Sequence, residues 1–194
     1  MDQKSSLDDF HTKTHHINTL FQFIKNNKEE QFMEYISNLT PEEIDVNMRD
    51  ENGNYLISFA IIMNNRRILR KLIEYGSRLD IIDTEGFGIL YYPIKYNYLE
   101  IIDILLQQDK TTVGISLINL KDARNSVPIF YAIKYKNRYA LQELLSHGAD
   151  ANYRGIDNMN SLHLAVLKKD ITMVKMILRY IKNIDARTTD GLTA

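Results

Sequence analysis

The sequence contains no cysteine and carries a formal net charge of only -1 across its 194 residues. The absence of cysteine excludes disulfides, thiolate nucleophiles and cysteine-ligated zinc, and it suits a reducing compartment. The near-neutral charge provides no broad basic field for nucleic acid or an anionic membrane. No apolar run approaches the roughly 18 residues that a membrane span needs. We therefore expect an intracellular, cytoplasmic protein that binds neither nucleic acid nor membrane.

Sequence motifs that are typical of enzymes are also missing. The chain has no glycine-rich phosphate loop, no paired-histidine zinc motif and no serine nucleophile elbow. Its acidic residues fall in predicted turns and on outward helix positions, where water keeps their pKa values ordinary. His11, His15 and His16 lie close together but have no acidic partner at a fixed spacing. We expect no enzymatic activity, no cofactor and no bound metal.

A turn signal recurs along the chain at intervals of 33 residues, with one interval of 39. Asp50 and Asp83 are each followed three residues later by a glycine. The equivalent position, called the slot below, recurs in each later turn. The slot always holds a residue type that tolerates a positive φ angle. Its occupants are Gly53, Gly86, Asn125, Asn158 and Gly191. A period of this length indicates a repeat architecture.

Two apolar stretches follow each turn. The second stretch has apolar residues at positions i, i+1, i+4 and i+5, as in Ile68, Leu69, Leu72 and Ile73. This spacing marks one face of a helix. Each unit is therefore predicted to be a turn followed by two short helices, giving five helix pairs and no central sheet.

The repeat resembles the ankyrin repeat, whose landmarks are Thr-Pro-Leu-His-x-Ala and Gly-Ala-Asp-Val-Asn. The clearest matches are Leu-Leu-Ser-His-Gly-Ala-Asp-Ala-Asn at 144–152 and Ser-Leu-His-Leu-Ala at 161–165. The resemblance implies an all-α solenoid of stacked helix–turn–helix units with short hairpin turns, and a structural role for His163. A closing asparagine or aspartate recurs in every unit, as Asn47, Asp80, Asn119, Asn152 and Asp185.

The period also divides the chain. Residues 1–16 are polar and aperiodic, which predicts a flexible tail, and residues 17–194 form the predicted repeat domain. Six additional residues within 107–116 predict an exposed loop, because packed helices cannot absorb an insertion. The predicted units are 17–49, 50–82, 83–121, 122–154 and 155–187, with the start of a further unit at 188–194.

The last complete unit differs from a normal terminal repeat, which has a polar outer face. We expect its apolar side chains to be left exposed, so that a longer natural chain, a partner or a second copy covers this end. The apolar residues in question are Leu164, Leu167, Met173 and Ile177.

The resemblance also implies a binding surface. In an ankyrin unit, two positions near the end of the first helix point into a concave groove, and the hairpin tips lie beside them. Tyrosine and arginine dominate interface hot spots, methionine adapts to partner shape, and lysine steers acidic partners. We therefore predict an acidic or mixed-polarity protein or peptide as partner. The predicted partner-binding residues are Met63, Phe87, Lys95, Tyr96, Arg124, Lys134, Tyr135, Ile156, Met159 and Lys168.

Two functions remain open at this point. The chain is either a protein–protein interaction module in its own right, or the recruitment or targeting segment of a larger multidomain protein. In the second case an enzymatic or effector domain lies beyond residue 194. Ankyrin repeats bind very different proteins with one architecture, so the fold names neither the partner nor the oligomeric state.

Overall fold

The computed structural model describes residues 3–109 and 117–194. Within these residues the chain forms ten α-helices and two short 3-10 turns, and it contains no strand. The predicted all-α class with five helix pairs is therefore confirmed. Most of the loop predicted within 107–116 lies outside the described residues. The helices are α1 (Gln3–Lys25), α2 (Glu29–Ser37), α3 (Leu56–Ile62), α4 (Arg66–Glu74), α5 (Tyr91–Tyr96), α6 (Leu99–Asp109), α7 (Pro128–Lys134), α8 (Arg138–Ser146), α9 (Ser161–Leu167) and α10 (Ile171–Ile177).

The helices group into two compact units, Met1–Arg78 and Leu79–Ala194. In the first unit, α1 packs against α2 and α3, and α4 packs against the same two helices. In the second unit, α5, α7 and α9 pack side by side, and α6, α8 and α10 form a parallel row. Each helix of one row also packs against its partner in the other row. Contacts between neighbouring pairs are the mark of a repeat architecture.

The first helix extends through most of the segment that was predicted to be a flexible tail. Residues 3–16 belong to α1, whose C-terminal half is anchored by the buried side chains of Ile17, Leu20 and Phe21. An anchored helix extends cheaply, because each further residue adds a backbone hydrogen bond without a new nucleation cost. His16 adds a side-chain contact, since its Nδ1 atom lies 2.9 Å from the hydroxyl of Tyr35 on α2.

Three hairpin loops are organised by an aspartate. The carboxylates of Asp50, Asp83 and Asp122 each accept hydrogen bonds from the amides two and four residues ahead, at 2.8–3.0 Å. The slot three residues after each aspartate has the expected positive φ, 79° at Gly53 and 55° at Asn125. The recurring turn signal of the sequence therefore corresponds to a recurring hydrogen-bonded loop.

The closing asparagines join one repeat to the next. In the first unit, Asn47 accepts a 2.7 Å hydrogen bond from the amide of Arg78. In the second unit, Asn119 accepts one from the amide of Asp150, and Asn152 accepts one from the amide of Lys182, both at 2.9 Å. Each bond spans 30 or 31 residues, so the asparagine fixes the register between successive repeats.

The last helix pair exposes apolar side chains at repeat positions that are buried in the preceding pair. Val166 is 42% exposed, whereas Ile133, its counterpart 33 residues earlier, is fully buried. Leu178 is 42% exposed, whereas its counterpart Leu145 is 2% exposed. The side chains of α9 and α10 therefore bury less apolar surface than those of α7 and α8.

The set of exposed residues at this end differs from the set expected from sequence. Leu167 is exposed as expected, but Met173 and Ile177 are fully buried. These two side chains lie on α10, which packs against both α8 and α9. Ile171, on the other face of the same helix, is exposed instead.

Amide hydrogen exchange in the 194-residue chain should therefore be faster across residues 161–180 than across α7 and α8. Local opening costs least where few apolar contacts must be broken, and each exposed large apolar side chain forgoes about 1.5–3 kcal/mol of burial. Exchange followed by mass spectrometry measures this difference. Equal protection of both helix pairs in a monomer would contradict the expectation.

Candidate functional site

Nine of the ten predicted partner-binding residues lie in the unit Leu79–Ala194. Met63 belongs to the other unit, where it is exposed at the C-terminal end of α3. Six of the nine line one groove of about 450 Å³ beside α7 and the neighbouring hairpin tips. These six are Phe87, Arg124, Lys134, Ile156, Met159 and Lys168.

The remaining three predicted residues lie elsewhere in the same unit. Lys95 and Tyr135 line a separate, more polar pocket of about 250 Å³ next to the turns that precede α6 and α8. Tyr96 is exposed at the end of α5, where its ring lies near those of Tyr92 and Tyr98. The predicted surface is therefore divided into a groove, a smaller pocket and an exposed aromatic side chain.

An aromatic cluster supports the groove. The rings of Phe87 and Tyr91 are stacked, with centroids 3.5 Å apart and planes 3° from parallel. The ring of Tyr131 packs edge-on against both. The hydroxyls of Tyr91 and Tyr135 lie 2.9 Å apart, and the Tyr131 hydroxyl donates to the carboxylate of Asp122. These contacts join the rings and hydroxyls of α5, α7 and the hairpin loops into one packed cluster.

The sequence analysis missed part of this lining. Phe130 and Tyr131 are buried residues of α7 that border the groove, and the half-buried Leu164 on α9 borders it too. The available signal was an aromatic pair at the same repeat positions of adjacent units, since Tyr91 and Tyr92 precede Phe130 and Tyr131 by 39 residues.

Cationic side chains lie against the aromatic faces. The guanidinium of Arg124 is 3.9 Å from the centroid of Phe87. The Lys134 ammonium lies 5.5 Å from the ring of Tyr135, and the Lys95 ammonium lies 5.0 Å from the ring of Tyr96. Such cation–π contacts orient a cation without neutralising its charge.

The cations around the groove differ from other cations of the chain in their partners. Across residues 9–108 and 117–194, no carboxylate forms an ion pair with Arg124, Lys134 or Lys168. By contrast, Arg67 pairs with Glu29 and Glu30 at the start of α2, and Arg138 at the start of α8 pairs with Asp170 at 3.1 Å. The groove therefore retains positive charge that the described part of the chain does not neutralise through ion pairs.

Three groups in this region have raised pKa values. Burial, followed by the hydrogen bond to Asp122, raises the pKa of Tyr131. Burial and the hydrogen bond to Tyr91 likewise raise the pKa of Tyr135. A hydrogen bond with Tyr96 raises the pKa of Lys95.

Two structural features are absent from the described residues. Among them, no three His, Asp or Glu side chains come close enough together to hold a metal ion. No helix within 3–109 or 117–194 combines the length and the apolar character needed to cross a membrane. His163, which the resemblance assigned a structural role, completes a capping box with Asn160 at the start of α9.

The family model described as Ankyrin repeats (3 copies) matches residues 20–116, and that described as Ankyrin repeats (many copies) matches residues 129–178. The chain belongs to the ankyrin-repeat family. Ankyrin repeats generally mediate protein–protein interactions, and proteins of this family are typically not enzymes. The resemblance inferred from the hairpin and helix motifs is thereby confirmed.

Relatives of this ankyrin-repeat chain include viral and animal proteins. The chain is 64% identical over 183 residues to ankyrin repeat protein L371 of Acanthamoeba polyphaga mimivirus. That alignment covers 94% of this chain and 24% of the mimivirus protein. The chain is 23% identical over 150 residues to the nuclear factor NF-kappa-B p105 subunit of Gallus gallus, an alignment that covers 76% of this chain and 15% of the relative. The chain is 26% identical over 136 residues to ankyrin repeat protein FPV223 of fowlpox virus, an alignment that covers 70% of this chain and 91% of the relative. The chain thus spans a quarter or less of the first two relatives.

Proposed function

We propose that this ankyrin-repeat chain is a protein–protein interaction module and that the groove beside α7 is its contact surface for a partner peptide. The observation that carries the proposal is the groove itself, which combines aromatic and aliphatic side chains with cations that form no ion pair with a carboxylate of residues 9–108 or 117–194. Its volume of about 450 Å³ falls within the range of clefts that hold ligands in proteins.

The groove has the composition of an interface hot spot. Arg124 at its edge is a residue type that hot spots favour, and Met159 supplies a side chain that adapts to the shape of a partner. The aromatic cluster under it is held by hydrogen bonds and ring stacking. Binding to a preorganised surface costs less conformational entropy, so more of the contact energy contributes to affinity.

Selection of binders from a random-peptide display library tests this proposal. Peptides selected on the immobilised chain should lose about tenfold or more in affinity for the double variant Ile156→Ala/Met159→Ala, because truncation of a hot-spot side chain typically costs more than 1 kcal/mol. Ile156 is 69% exposed, so its truncation leaves the packed core intact. Fluorescence anisotropy with the selected peptides measures the change.

The matched control removes exposed apolar surface away from the groove. Ile171→Ala/Leu178→Ala truncates two exposed side chains of the α10 region that do not line the groove. This control should bind the peptides with unchanged affinity. Peptides that bind both double variants as tightly as the unaltered chain would place the contact surface elsewhere.

A second candidate function is recruitment or targeting within a longer protein. It is supported by the relatives, since the chain spans only 24% of the mimivirus protein. In that arrangement the groove would bind a substrate or an anchor on behalf of another domain. The open reading frame beyond codon 194 distinguishes the candidates: an immediate stop codon contradicts the second one, and a further coding domain supports it.

A further inference from the structure

We infer that the groove selects peptides in which carboxylates lie beside an apolar anchor side chain; this inference rests on the proposed function and specifies its partner. Three positively charged side chains border the groove, namely Arg124, Lys134 and Lys168, and one negatively charged side chain, Asp157, does so. The border therefore carries an excess of two positive charges.

The carboxylate nearest to Arg124 along the chain does not neutralise that side chain. Asp122 is buried, and its oxygens accept hydrogen bonds from the amides of Arg124 and Ser126 and from the hydroxyl of Tyr131. The Asp122 carboxylate therefore already accepts hydrogen bonds from its own hairpin loop and from α7. The guanidinium of Arg124 contacts the ring of Phe87, which leaves its hydrogen-bond donors available to a ligand carboxylate.

The apolar floor accounts for the second part of the recognition. Phe130, Tyr131 and Leu164 line the same groove as the three positively charged side chains. An apolar side chain that fills this space excludes water, and the exclusion of water strengthens the adjacent charge–charge attraction. A purely acidic peptide would leave the apolar side chains of the groove in contact with water. A purely apolar peptide would leave the positively charged side chains without a carboxylate partner. The groove consequently favours both features in one peptide.

The helix arrangement also indicates a spacing for the carboxylates. Lys134 ends α7 and Lys168 follows α9, and these two helices pack against each other. Packed helices have axes roughly 8–10 Å apart, and an extended peptide advances about 3.3 Å per residue. Successive side chains of an extended peptide point to opposite faces. Acidic residues two or four positions apart, about 7 or 13 Å, therefore share the face that meets the groove and can reach both flexible lysine side chains at once.

The test compares peptide selections on two forms of the 194-residue chain. Selection on the unaltered chain should enrich aspartate and glutamate around a leucine, isoleucine or phenylalanine. Selection on Lys134→Glu/Lys168→Glu should enrich lysine and arginine around the same anchors. Synthetic peptides from the first selection should bind the charge-reversed chain at least tenfold more weakly, and increased salt should weaken their binding to the unaltered chain.

The variant Lys175→Glu/Lys182→Glu provides the matched control, because it makes the same change in net charge at exposed lysines that do not border the groove. It should retain the affinity of the unaltered chain, and an equal loss there would overturn the inference by showing a non-local charge effect. The milder variant Lys134→Gln/Lys168→Gln repeats the comparison if the reversed chain does not keep its helical circular dichroism.

The outcomes separate this inference from the proposed function. Selected peptides that depend on Ile156 and Met159 but carry no acidic residues would overturn the acidic-anchor inference while the groove remains the contact surface. Selected peptides that are indifferent to Ile156 and Met159 would overturn the proposed function itself. Acidic, groove-dependent peptides with a switched preference on the reversed chain would support both.

Discussion

Replacing Asp122 with alanine should lower the free energy of unfolding by about 3 kcal/mol, because hydrogen bonds to a charged group contribute about 1.5–3 kcal/mol each and are not additive. The buried carboxylate accepts from the amides of Arg124 and Ser126 and from the hydroxyl of Tyr131. Alanine leaves these three donors without an acceptor. Urea unfolding followed by circular dichroism measures the loss.

Two companion variants identify the cause. Asp150 is exposed and accepts from the amide of Asn152, so Asp150→Ala should cost about 1 kcal/mol or less. Tyr131→Phe removes only one of the three donors of Asp122, and combined with Asp122→Ala it should cost less than the sum of the two single changes. Strict additivity of the two changes would show that the carboxylate and the hydroxyl are not energetically coupled.

The hairpin loops illustrate what could be predicted from the sequence. Asp50, Asp83 and Asp122 are visible as a recurring signal because an aspartate loop is local, with its donors two and four residues ahead. The hydroxyl of Tyr131 that completes the Asp122 network lies nine residues away on α7. Its arrival depends on how the helix packs over the loop, which no local pattern encodes.

The first helix is a local structure that could not be predicted from the composition of its own segment. Residues 3–16 have the polar composition of a tail, yet they continue a helix whose buried positions begin at Ile17. Composition reports how much apolar surface a segment can bury, and it does not report whether a neighbouring anchored segment already supplies the helix nucleus. An apolar period is therefore sufficient for predicting a helix but not necessary.

The candidate site was predictable to the extent that equivalent positions of successive repeats lie on one surface. Phase placed Arg124, Lys134 and Lys168 on one surface, and the structure brings them to one groove. Phase alone gave no reason to expect the bond between Tyr91 and Tyr135, which are 44 residues apart and meet only because α5 packs against α7. The preorganisation of the groove is thus a property of tertiary packing, whereas its position is a property of the repeat.

Substituting aspartate for Gly155 should destabilise the protein by about 2 kcal/mol, although the change restores the residue that the repeat uses at Asp50, Asp83 and Asp122. Gly155 has a φ of -94°, which side-chain-bearing residues adopt readily. The obstacle is steric, because a Cβ atom at Gly155 would overlap Cε2 of Phe130. The Phe130 ring is buried and packs against Tyr153. Chemical denaturation measures the cost.

The equivalent slot in the following turn provides the control. Thr188 lies 33 residues after Gly155, and its hydroxyl already accepts from the amide of Leu192 at 3.2 Å. Thr188→Asp should therefore be neutral within about 0.5 kcal/mol. Removing the ring should relieve the clash, so Gly155→Asp combined with Phe130→Ala should cost at least about 1 kcal/mol less than the sum of the single changes. A stabilising Gly155→Asp would mean that the Phe130 ring moves aside without cost, and that the glycine is not required by the packing of the groove.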